Sequence, residues 1–298
     1  MLHYKQTPIQ EIHHAVLKKA DVRLIIKRED LNHPHISGNK WWKLKYNLVD
    51  AMQKDHKTIL TFGGAFSNHI YATAAAAYEL KVESIGVIRG EETWPLNPTL
   101  QFAINHGMQI HYVSRDKYRR KSTQEFIDNL HHKFGAFYLI PEGGSNLLAV
   151  KGCAEFAETE LSKIDCDYLC LPVGTGGTMT GLICGFHDRK NIIGISVLKN
   201  GEFLKGKIEN LSEDFSGKSY QNWSLLTAYH HGGYAKVTRE LLSFIDEMKR
   251  LHNLPLDHVY TGKLLWAVMK EIETGSFKSG STILVLHTGG LQYLPDLS

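Results

Sequence analysis

The chain has 298 residues, 43% of them hydrophobic and 22% charged, proportions that are ordinary for a folded globular enzyme and exclude a disordered or fibrous chain. Its 34 basic and 31 acidic residues are interspersed and give a net charge of +3, which excludes the basic stripe that nucleic-acid binding requires. No apolar run has membrane-spanning or secretory length, so we expect a cytoplasmic protein without a membrane partner.

Short β-branched segments with polar or glycine-containing boundaries predict strands. The predicted strands cover residues 22–27, 58–62, 84–89, 109–113, 137–140, 168–173, 192–197 and 282–287. Helical periodicity between them predicts helices over residues 40–53, 68–80, 98–106, 147–162, 178–188, 236–251 and 263–273. This alternation is typical of an α/β protein in which helices cover parallel sheets.

Four of these strands fall between residues 57 and 140 and suffice for a small sheet of their own. We therefore predict two domains, each a mainly parallel twisted sheet covered by helices. Residues 1–47 and 160–298 form the larger domain, and residues 48–159 form a smaller inserted α/β domain.

The cysteines and histidines do not indicate a metal site. The four cysteines form no Cys-x-x-Cys pair and lie in apolar segments, which predicts buried thiols in a reducing compartment. Adjacent histidines at 13/14, 131/132 and 230/231 lack the spacing of zinc ligands, so no metal is predicted. The basic run 117–121 is interpreted as the start of a short helix.

Residues 37–45, Ser-Gly-Asn-Lys-Trp-Trp-Lys-Leu-Lys, combine a helix-start signal with lysines one turn apart, Lys40 and Lys43. A neighbouring ammonium and the positive end of a helix both lower the pKa of Lys40, as an imine-forming lysine requires, while Lys43 attracts an anion. On spacing alone, two solvated surface lysines are the commoner explanation.

Residues 61–69, Thr-Phe-Gly-Gly-Ala-Phe-Ser-Asn-His, leave a predicted strand through two glycines and enter an alanine-rich helix. Ser67 or Asn68 caps this helix, and the free N–H groups of its first turn favour a carboxylate or phosphate. Plain capping explains the pattern equally well. The Gly-x-Ser-x-Gly elbow of a serine hydrolase is absent here.

Residues 172–181, Pro-Val-Gly-Thr-Gly-Gly-Thr-Met-Thr-Gly, join a predicted strand to a predicted helix and indicate a stronger anion site. The glycines allow close backbone approach, and the Thr175 and Thr178 hydroxyls add donors at a helix N-terminus, which suits a phosphate monoester. The loop is not a dinucleotide fingerprint, because Met179 stands where glycine is required, and no Lys-Ser or Lys-Thr pair follows it as in a Walker loop.

Two last segments are ambiguous by themselves: residues 257–263, Asp-His-Val-Tyr-Thr-Gly-Lys, and residues 286–290, Leu-His-Thr-Gly-Gly. Tyr260 as a core aromatic and Thr288 as a turn residue explain them if each segment stands alone.

Taken together, the order and spacing of these segments resemble the pyridoxal 5′-phosphate (PLP) dependent family that contains 1-aminocyclopropane-1-carboxylate (ACC) deaminase and D-cysteine desulfhydrase. The resemblance covers nearly the whole chain, from residues 7–10 (Thr-Pro-Ile-Gln) and 26–30 (Ile-Lys-Arg-Glu-Asp) through 141–146 (Pro-Glu-Gly-Gly-Ser-Asn) to the final His-Thr-Gly-Gly. It implies a tryptophan synthase β-like enzyme of fold type II, with PLP in the cleft between two domains, a small amino-acid substrate and a homodimer.

The resemblance also implies roles for single residues. Lys40 is the Schiff-base lysine, Asn68 bonds the phenolic oxygen of the cofactor, and Tyr260 stacks on its ring with Tyr234 as a second active-site tyrosine. The implied catalytic residues are Lys40, Ser67, Tyr234 and Tyr260, and the implied substrate contacts are Ser67, Asn68 and His69. The implied cofactor-binding residues are Lys40, Lys43, Asn68, Gly174, Thr175, Gly176, Gly177, Thr178, Tyr260, Thr261 and Thr288.

The sequence departs from the family pattern at four places. ACC deaminases of the family carry Glu beside the ring nitrogen and Leu in the last motif, where this chain has Thr261 and Thr288, as on the desulfhydrase side. His69 replaces a frequent Gln, and the usual Pro-Asn-Glu is absent beyond Ala235.

These features predict a PLP-dependent deaminating lyase, most similar to D-cysteine desulfhydrase, that forms pyruvate, ammonia and sulfide by β-elimination. Thr261 cannot hold the ring nitrogen protonated as a carboxylate does, which suits a good leaving group better than the cyclopropane ring of ACC. The alternatives are an ACC deaminase, a related serine or cysteine lyase of either stereochemistry, and a non-catalytic PLP-binding protein. Lys40, Ser67, Asn68 and Tyr260 argue against the last.

Overall fold

Two sheets organise residues 2–292, the part of the chain that the computed structural model describes. In chain order, the elements are β1 Ile9–Ile12, α1 Ala15–Ala20, β2 Arg23–Lys27, α2 Asn39–Gln53, β3 Thr58–Gly64, α3 Asn68–Leu80, β4 Glu83–Arg89, α4 Pro98–Asn105, β5 Met108–Val113, α5 Arg115–Arg119, α6 Gln124–Phe134, β6 Tyr138–Ile140, α7 Leu147–Thr159, β7 Tyr168–Val173, α8 Gly177–Phe186, β8 Asn191–Ser196, α9 Phe203–Ser216, β9 Trp223–Leu226, α10 Arg239–His252, α11 Thr261–Glu273 and β10 Thr282–Leu286.

The larger sheet has six strands in the order β1-β2-β10-β7-β8-β9, and the smaller has four in the order β5-β4-β3-β6. Strand β1 runs antiparallel to β2, and the other pairs are parallel. Because both faces of a parallel sheet are covered by helices, the central strands β7 and β3 are almost wholly buried. The predicted α/β class with two helix-covered, mainly parallel sheets is confirmed.

The eight predicted strands are present to within two residues at each end, and the short helix predicted for the basic run is α5. Strands β1 and β9 and helices α1, α6 and α9 were not predicted. Helix α7 ends at Thr159, before the predicted boundary, and a 3-10 turn follows at Leu161–Lys163. All four strands of the smaller sheet lie inside the predicted insert 48–159, whose end points stay a prediction.

Helices α2, α7 and α8 approach one another closely because glycines face the contacts. A Cβ built on Gly152 of α7 would lie 1.9 Å from the carbonyl oxygen of Trp42, and one on Gly181 of α8 would lie 2.3 Å from the Cβ of Cys153. Helix α8 is buried along its whole length. The close packing fixes the direction in which the first turn of α8 points.

We expect Gly152→Ala to lower the free energy of unfolding by about 2–3 kcal/mol, because a rigid backbone carbonyl cannot make room for the added methyl group. The matched control is Gly206→Ala in α9, where nothing lies within 4 Å of the added Cβ and alanine should stabilise the helix by up to about 1 kcal/mol. Urea denaturation measures both. A Gly152→Ala protein as stable as the parent would contradict this packing.

The cysteines Cys153, Cys166, Cys170 and Cys184 are free and buried, as predicted. Within residues 2–292, none of the helices combines the length and the apolar character needed to cross a lipid bilayer.

Candidate active site

A cavity of about 370 Å³ lies where the carboxyl ends of strands from both sheets meet. Its wall includes residues that end or follow β3, β4 and β6 of the smaller sheet and β7, β8 and β10 of the larger sheet. Ligands of α/β proteins bind at this edge of a parallel sheet. A larger hollow of about 730 Å³ beside β1 and α1 contains none of the predicted site residues.

Most of the predicted site residues line this cavity: Lys40, Lys43, Ser67, Asn68, His69, Gly174, Thr175, Gly176, Thr178, Tyr234, Tyr260 and Thr288. Gly177 and Thr261 lie behind the wall and are buried. The fold thus collects segments that are far apart in the sequence, while the role of each residue stays a prediction.

Lys40 stands in the first turn of α2, two residues after Gly38, where a side chain would be strained and would clash with the backbone. Gly38 has φ 68°, and a Cβ there would lie 1.9 Å from the carbonyl oxygen of Thr288. The Nζ of Lys40 donates to Asn39 Oδ1 at 2.8 Å, and Asn39 Nδ2 donates to Thr178 Oγ1 at 2.8 Å. The amine is therefore held beside the first turn of α8.

Burial lowers the pKa of Lys40 from 10.5 to about 8. The sequence predicted a lower pKa from a neighbouring ammonium and the positive end of a helix, whereas burial is the largest cause in the structure. The pKa of Lys43 falls to about 7, through burial first and the Lys40 charge second. At neutral to mildly alkaline pH, a useful fraction of Lys40 carries the free amine that attacks a carbonyl.

An anion site lies at the start of α8. Lys43 Nζ donates to Ser145 Oγ at 2.9 Å and reaches Thr175 Oγ1 at 3.5 Å, and these two hydroxyls share a hydrogen bond of 2.6 Å. A Cβ on Gly177 would lie 2.9 Å from Ser145 Oγ and 3.3 Å from Lys43 Nζ, so a side chain there would fill the cradle. An ammonium, two hydroxyls and a helix N-terminus together suit a phosphate group.

Ser67 caps α3, as the sequence suggested, and its Oγ accepts from the backbone N–H groups of His69 and Ile70 at 3.2 and 3.3 Å. Because the lone pairs of this hydroxyl face the helix, its hydrogen remains available for an anion in the cavity. The oxygen of the neighbouring Asn68 amide accepts from Gln292 Nε2, which fixes the orientation of that side chain.

The His69 ring is only 2% exposed, and its contacts define its tautomer. Thr61 Oγ1 donates its hydrogen to the carbonyl oxygen of Ile140 at 2.8 Å and must therefore accept from His69 Nε2, also at 2.8 Å. Burial, and then the charges of Lys43 and Lys40, hold the pKa of His69 well below its usual value. The ring is thus neutral and anchored to β3, and its predicted contact with the substrate stays a prediction.

Tyr260 and Tyr234 pack edge to face at the cavity, with ring centroids 6.0 Å apart. A Cβ on Gly174 would lie 3.1 Å from Cε1 of Tyr260, so the ring lies against the glycine loop. The buried Lys263 donates to the carbonyl oxygens of Gly233 at 2.7 Å and His230 at 2.8 Å. This lysine ties the segment that carries Tyr234 to the helix that follows Tyr260.

The hydroxyl of Thr261 is fully engaged behind the cavity wall. It donates to Asp257 Oδ2 at 2.6 Å and accepts from the Asp257 N–H at 2.9 Å. Asp257 also accepts from the backbone N–H groups of Val259, Tyr260 and Thr261, in the segment that leads into α11. Thr288, by contrast, lines the cavity, so it presents the more accessible of the two hydroxyls.

Sequence reasoning missed several polar residues of this cavity: Asn39, Arg89, Glu142, Ser145 and Lys207. Ser145 lies in the Pro-Glu-Gly-Gly-Ser-Asn motif of residues 141–146, but the sequence predicted no role for it. Arg89 ends a predicted strand, and the end of a parallel strand is where a ligand-binding residue could have been expected. The hydrogen-bond donors and the Lys40 amine, whose pKa is lowered, lie in one cavity and fit a phosphorylated aldehyde, because one end offers an anion cradle and the other an amine.

Comparison with known proteins agrees with this geometry. The family model described as pyridoxal-phosphate dependent enzyme matches residues 1–289. A protein of Pyrococcus horikoshii, provisionally named as a 1-aminocyclopropane-1-carboxylate deaminase, is 30% identical, and the match covers 96% of this chain and 90% of that protein.

The bifunctional D-cysteine desulfhydrase/1-aminocyclopropane-1-carboxylate deaminase of Arabidopsis thaliana, a mitochondrial protein by name, is 29% identical over 92% of this chain and 73% of its own length. A solved structure described as an ACC deaminase homologue superimposes with a TM-score of 0.85 at 29% identity, covering 98% of this chain and 91% of that one.

Proposed function

Because the chain belongs to the family of pyridoxal-phosphate dependent enzymes, we propose that it acts on D-cysteine as a desulfhydrase. It is a PLP-dependent lyase, and PLP is its cofactor. The proposed reaction converts cysteine and water into pyruvate, ammonia and hydrogen sulfide. The observation that carries it is the single cavity in which the Lys40 amine and the Lys43 anion cradle lie together.

Each end of the cavity has a separate task. Lys43, Ser145 and the first turn of α8 would hold the cofactor phosphate, and the Tyr260 ring would support the pyridine ring. When bound, PLP supplies an electron sink for the α-carbon of an attached amino acid. The Lys40 Nζ would then receive the α-proton, and its lowered pKa suits an amine that takes up and returns a proton near neutral pH.

The residues around the predicted ring nitrogen support elimination of a good leaving group. Thr288 offers a hydroxyl to the cavity, whereas Thr261 lies behind the wall, where its hydroxyl and its backbone N–H both donate to the Asp257 carboxylate. Among residues 2–292, the one acidic side chain that lines the cavity is Glu142, which follows β6 and is engaged by Tyr118 and Lys121. Without a facing carboxylate, the ring nitrogen is less readily kept protonated, so a thiolate leaving group is favoured over cyclopropane opening.

The test compares purified enzyme on D-cysteine, L-cysteine, D-serine, L-serine and ACC by pyruvate release, with sulfide measured in parallel. We expect the largest kcat/KM for D-cysteine, with one sulfide per pyruvate. A clear preference for ACC would overturn the substrate, and activity on serine alone would indicate a dehydratase.

A second candidate function is ACC deaminase, which the names of the Pyrococcus and Arabidopsis relatives favour. The same substrate panel decides between the two activities. Comparable pyruvate release from ACC and D-cysteine would indicate a bifunctional enzyme.

The rate at which the cofactor-free protein takes up PLP should depend on pH through Lys40. Only the neutral amine attacks the aldehyde, and its pKa is lowered from 10.5 to about 8. At saturating PLP, the rate constant should therefore rise as pH increases and level off above about 8. Stopped-flow absorbance measures it, and a rate that keeps rising to pH 10 would contradict the lowered pKa.

We also propose that the protein is a cytoplasmic homodimer. Four buried free thiols suit a reducing compartment, which supports the cytoplasm. The family resemblance supports a homodimer, and the interspersed charges with a net value of +3 argue against a nucleic-acid partner. We expect no membrane partner either. Light scattering on the purified protein tests the assembly, and a monomer over a wide concentration range would overturn the dimer.

A further inference from the structure

Arg89 places a guanidinium over the loop that starts α3. It is the last residue of β4 and lies beside Gly64 in the parallel register of β3 and β4. Its Nη2 lies 3.6 Å from the position that a Cβ on Gly64 would take. The side chain is exposed and lines the cavity, and it lies next to Gly64 in space although it is distant from it in the sequence.

The charge of Arg89 has no acidic partner among residues 2–292. The guanidinium packs instead over the ring of Tyr118, 5.7 Å from its centroid. The one carboxylate of the cavity wall, Glu142, is engaged elsewhere: it accepts from the Tyr118 hydroxyl at 2.9 Å and pairs with Lys121 at 3.2 Å. The N–H groups of the Arg89 guanidinium are therefore available to a group that enters the cavity.

Lys207 supplies a second cation from the opposite wall. It lies on α9, lines the same cavity and forms no ion pair within the described residues. Burial lowers its pKa, and the charge of Glu142 partly offsets this effect. The cavity mouth thus holds one unpaired cation from each side.

These two cations are separate from the phosphate cradle. The cradle is formed by Lys43, Ser145 and Thr175 at the start of α8, whereas Arg89 belongs to β4 of the smaller sheet. A second anion that enters at the mouth would meet these cations, and the planar fork of N–H donors on Arg89 matches a carboxylate in two-point contact.

We propose that Arg89, assisted by Lys207 from the opposite wall, receives a carboxylate of the amino-acid substrate and so determines which amines the enzyme accepts. This inference rests on the proposed function, since it concerns the substrate of the same site. The carboxylate is either the α-carboxylate or a second acidic group on the substrate side chain.

The test measures binding by the change in the visible absorbance of the cofactor, which does not require turnover. Holoenzyme is titrated with ethylamine, alanine and aspartate, the amino acids in both enantiomers. We expect Arg89→Gln to weaken binding of the carboxylate-bearing ligands by about 10- to 100-fold, the usual effect of losing a charge-assisted contact, and to leave ethylamine unchanged. Arg89→Lys should restore part of the loss.

Lys207→Gln should weaken the same ligands by a smaller factor of about 3 to 10. Its matched control is Lys205→Gln, on the same helix but outside the cavity wall, which should bind all ligands as the parent does. Thermal denaturation of each variant checks that it is folded.

The outcomes separate the two sources of the carboxylate. Weaker binding of both alanine and aspartate assigns the α-carboxylate to Arg89, and weaker binding of aspartate alone assigns a side-chain acid. Equal loss for ethylamine, or no loss for any ligand, would overturn the inference. The proposed function fails by a different measurement, a preference for ACC or serine in pyruvate release, so the two failures are distinguishable.

Discussion

Lys40→Ala should lower kcat by at least about 10³-fold, because the substitution removes both the amine that attaches the cofactor and the base for the α-proton. The change should also abolish the visible absorbance of the attached cofactor. Lys40 is half-buried at the cavity rather than in the core, so the variant should fold. Steady-state pyruvate release and the absorbance spectrum measure the two effects together.

The companion variant Lys40→Arg distinguishes the effect of the positive charge from the effect of imine formation. A guanidinium keeps the positive charge but does not form an imine with the aldehyde, so this variant should be as inactive as Lys40→Ala. Turnover within tenfold of the parent in either variant would show that Lys40 is not the reactive amine.

Lys43→Met should raise the dissociation constant for PLP by about 10- to 100-fold, since it removes the ammonium of the anion cradle while methionine keeps the apolar stem. Lys43 is 2% exposed and contacts both cradle hydroxyls. Pyridoxal, which lacks the phosphate, should bind the variant and the parent equally well. Fluorescence titration of cofactor-free protein measures both constants.

The matched control is Lys45→Met, two residues further along the same helix. Lys45 pairs with Glu155 at 2.7 Å, away from the cavity, so its replacement should leave PLP affinity unchanged. Equal weakening by the two substitutions, or an Lys43→Met protein that binds PLP as the parent does, would refute the assigned phosphate site.

The sequence predicted the central strands well because each is a short β-branched run buried on both faces, such as β7 and β10. It did not predict β1, since Ile-Gln-Glu-Ile at Ile9–Ile12 carries two polar residues and becomes a strand only by pairing with β2. Helix α6 was missed for a related reason: Leu130 is its one fully buried residue.

Of the candidate site, the sequence identified the residues inside glycine-rich or lysine-rich motifs but not those brought in by the fold. Arg89 is the last residue of β4, a strand without a recognisable motif, and it lines the cavity only because β4 lies next to β3. Strand order is a property of the tertiary structure. Likewise, the cause of the low Lys40 pKa is burial under the surrounding segments, which no local pattern contains.

The central claim is that Lys40 carries the cofactor covalently. Borohydride reduction of the native holoenzyme, followed by proteolysis and peptide mass spectrometry, tests this claim most directly. The reduced phosphopyridoxyl group should be found on the peptide that contains Lys40 and on its ε-nitrogen. A label on Lys43 or any other lysine, or an unlabelled Lys40 in a yellow protein, would contradict it.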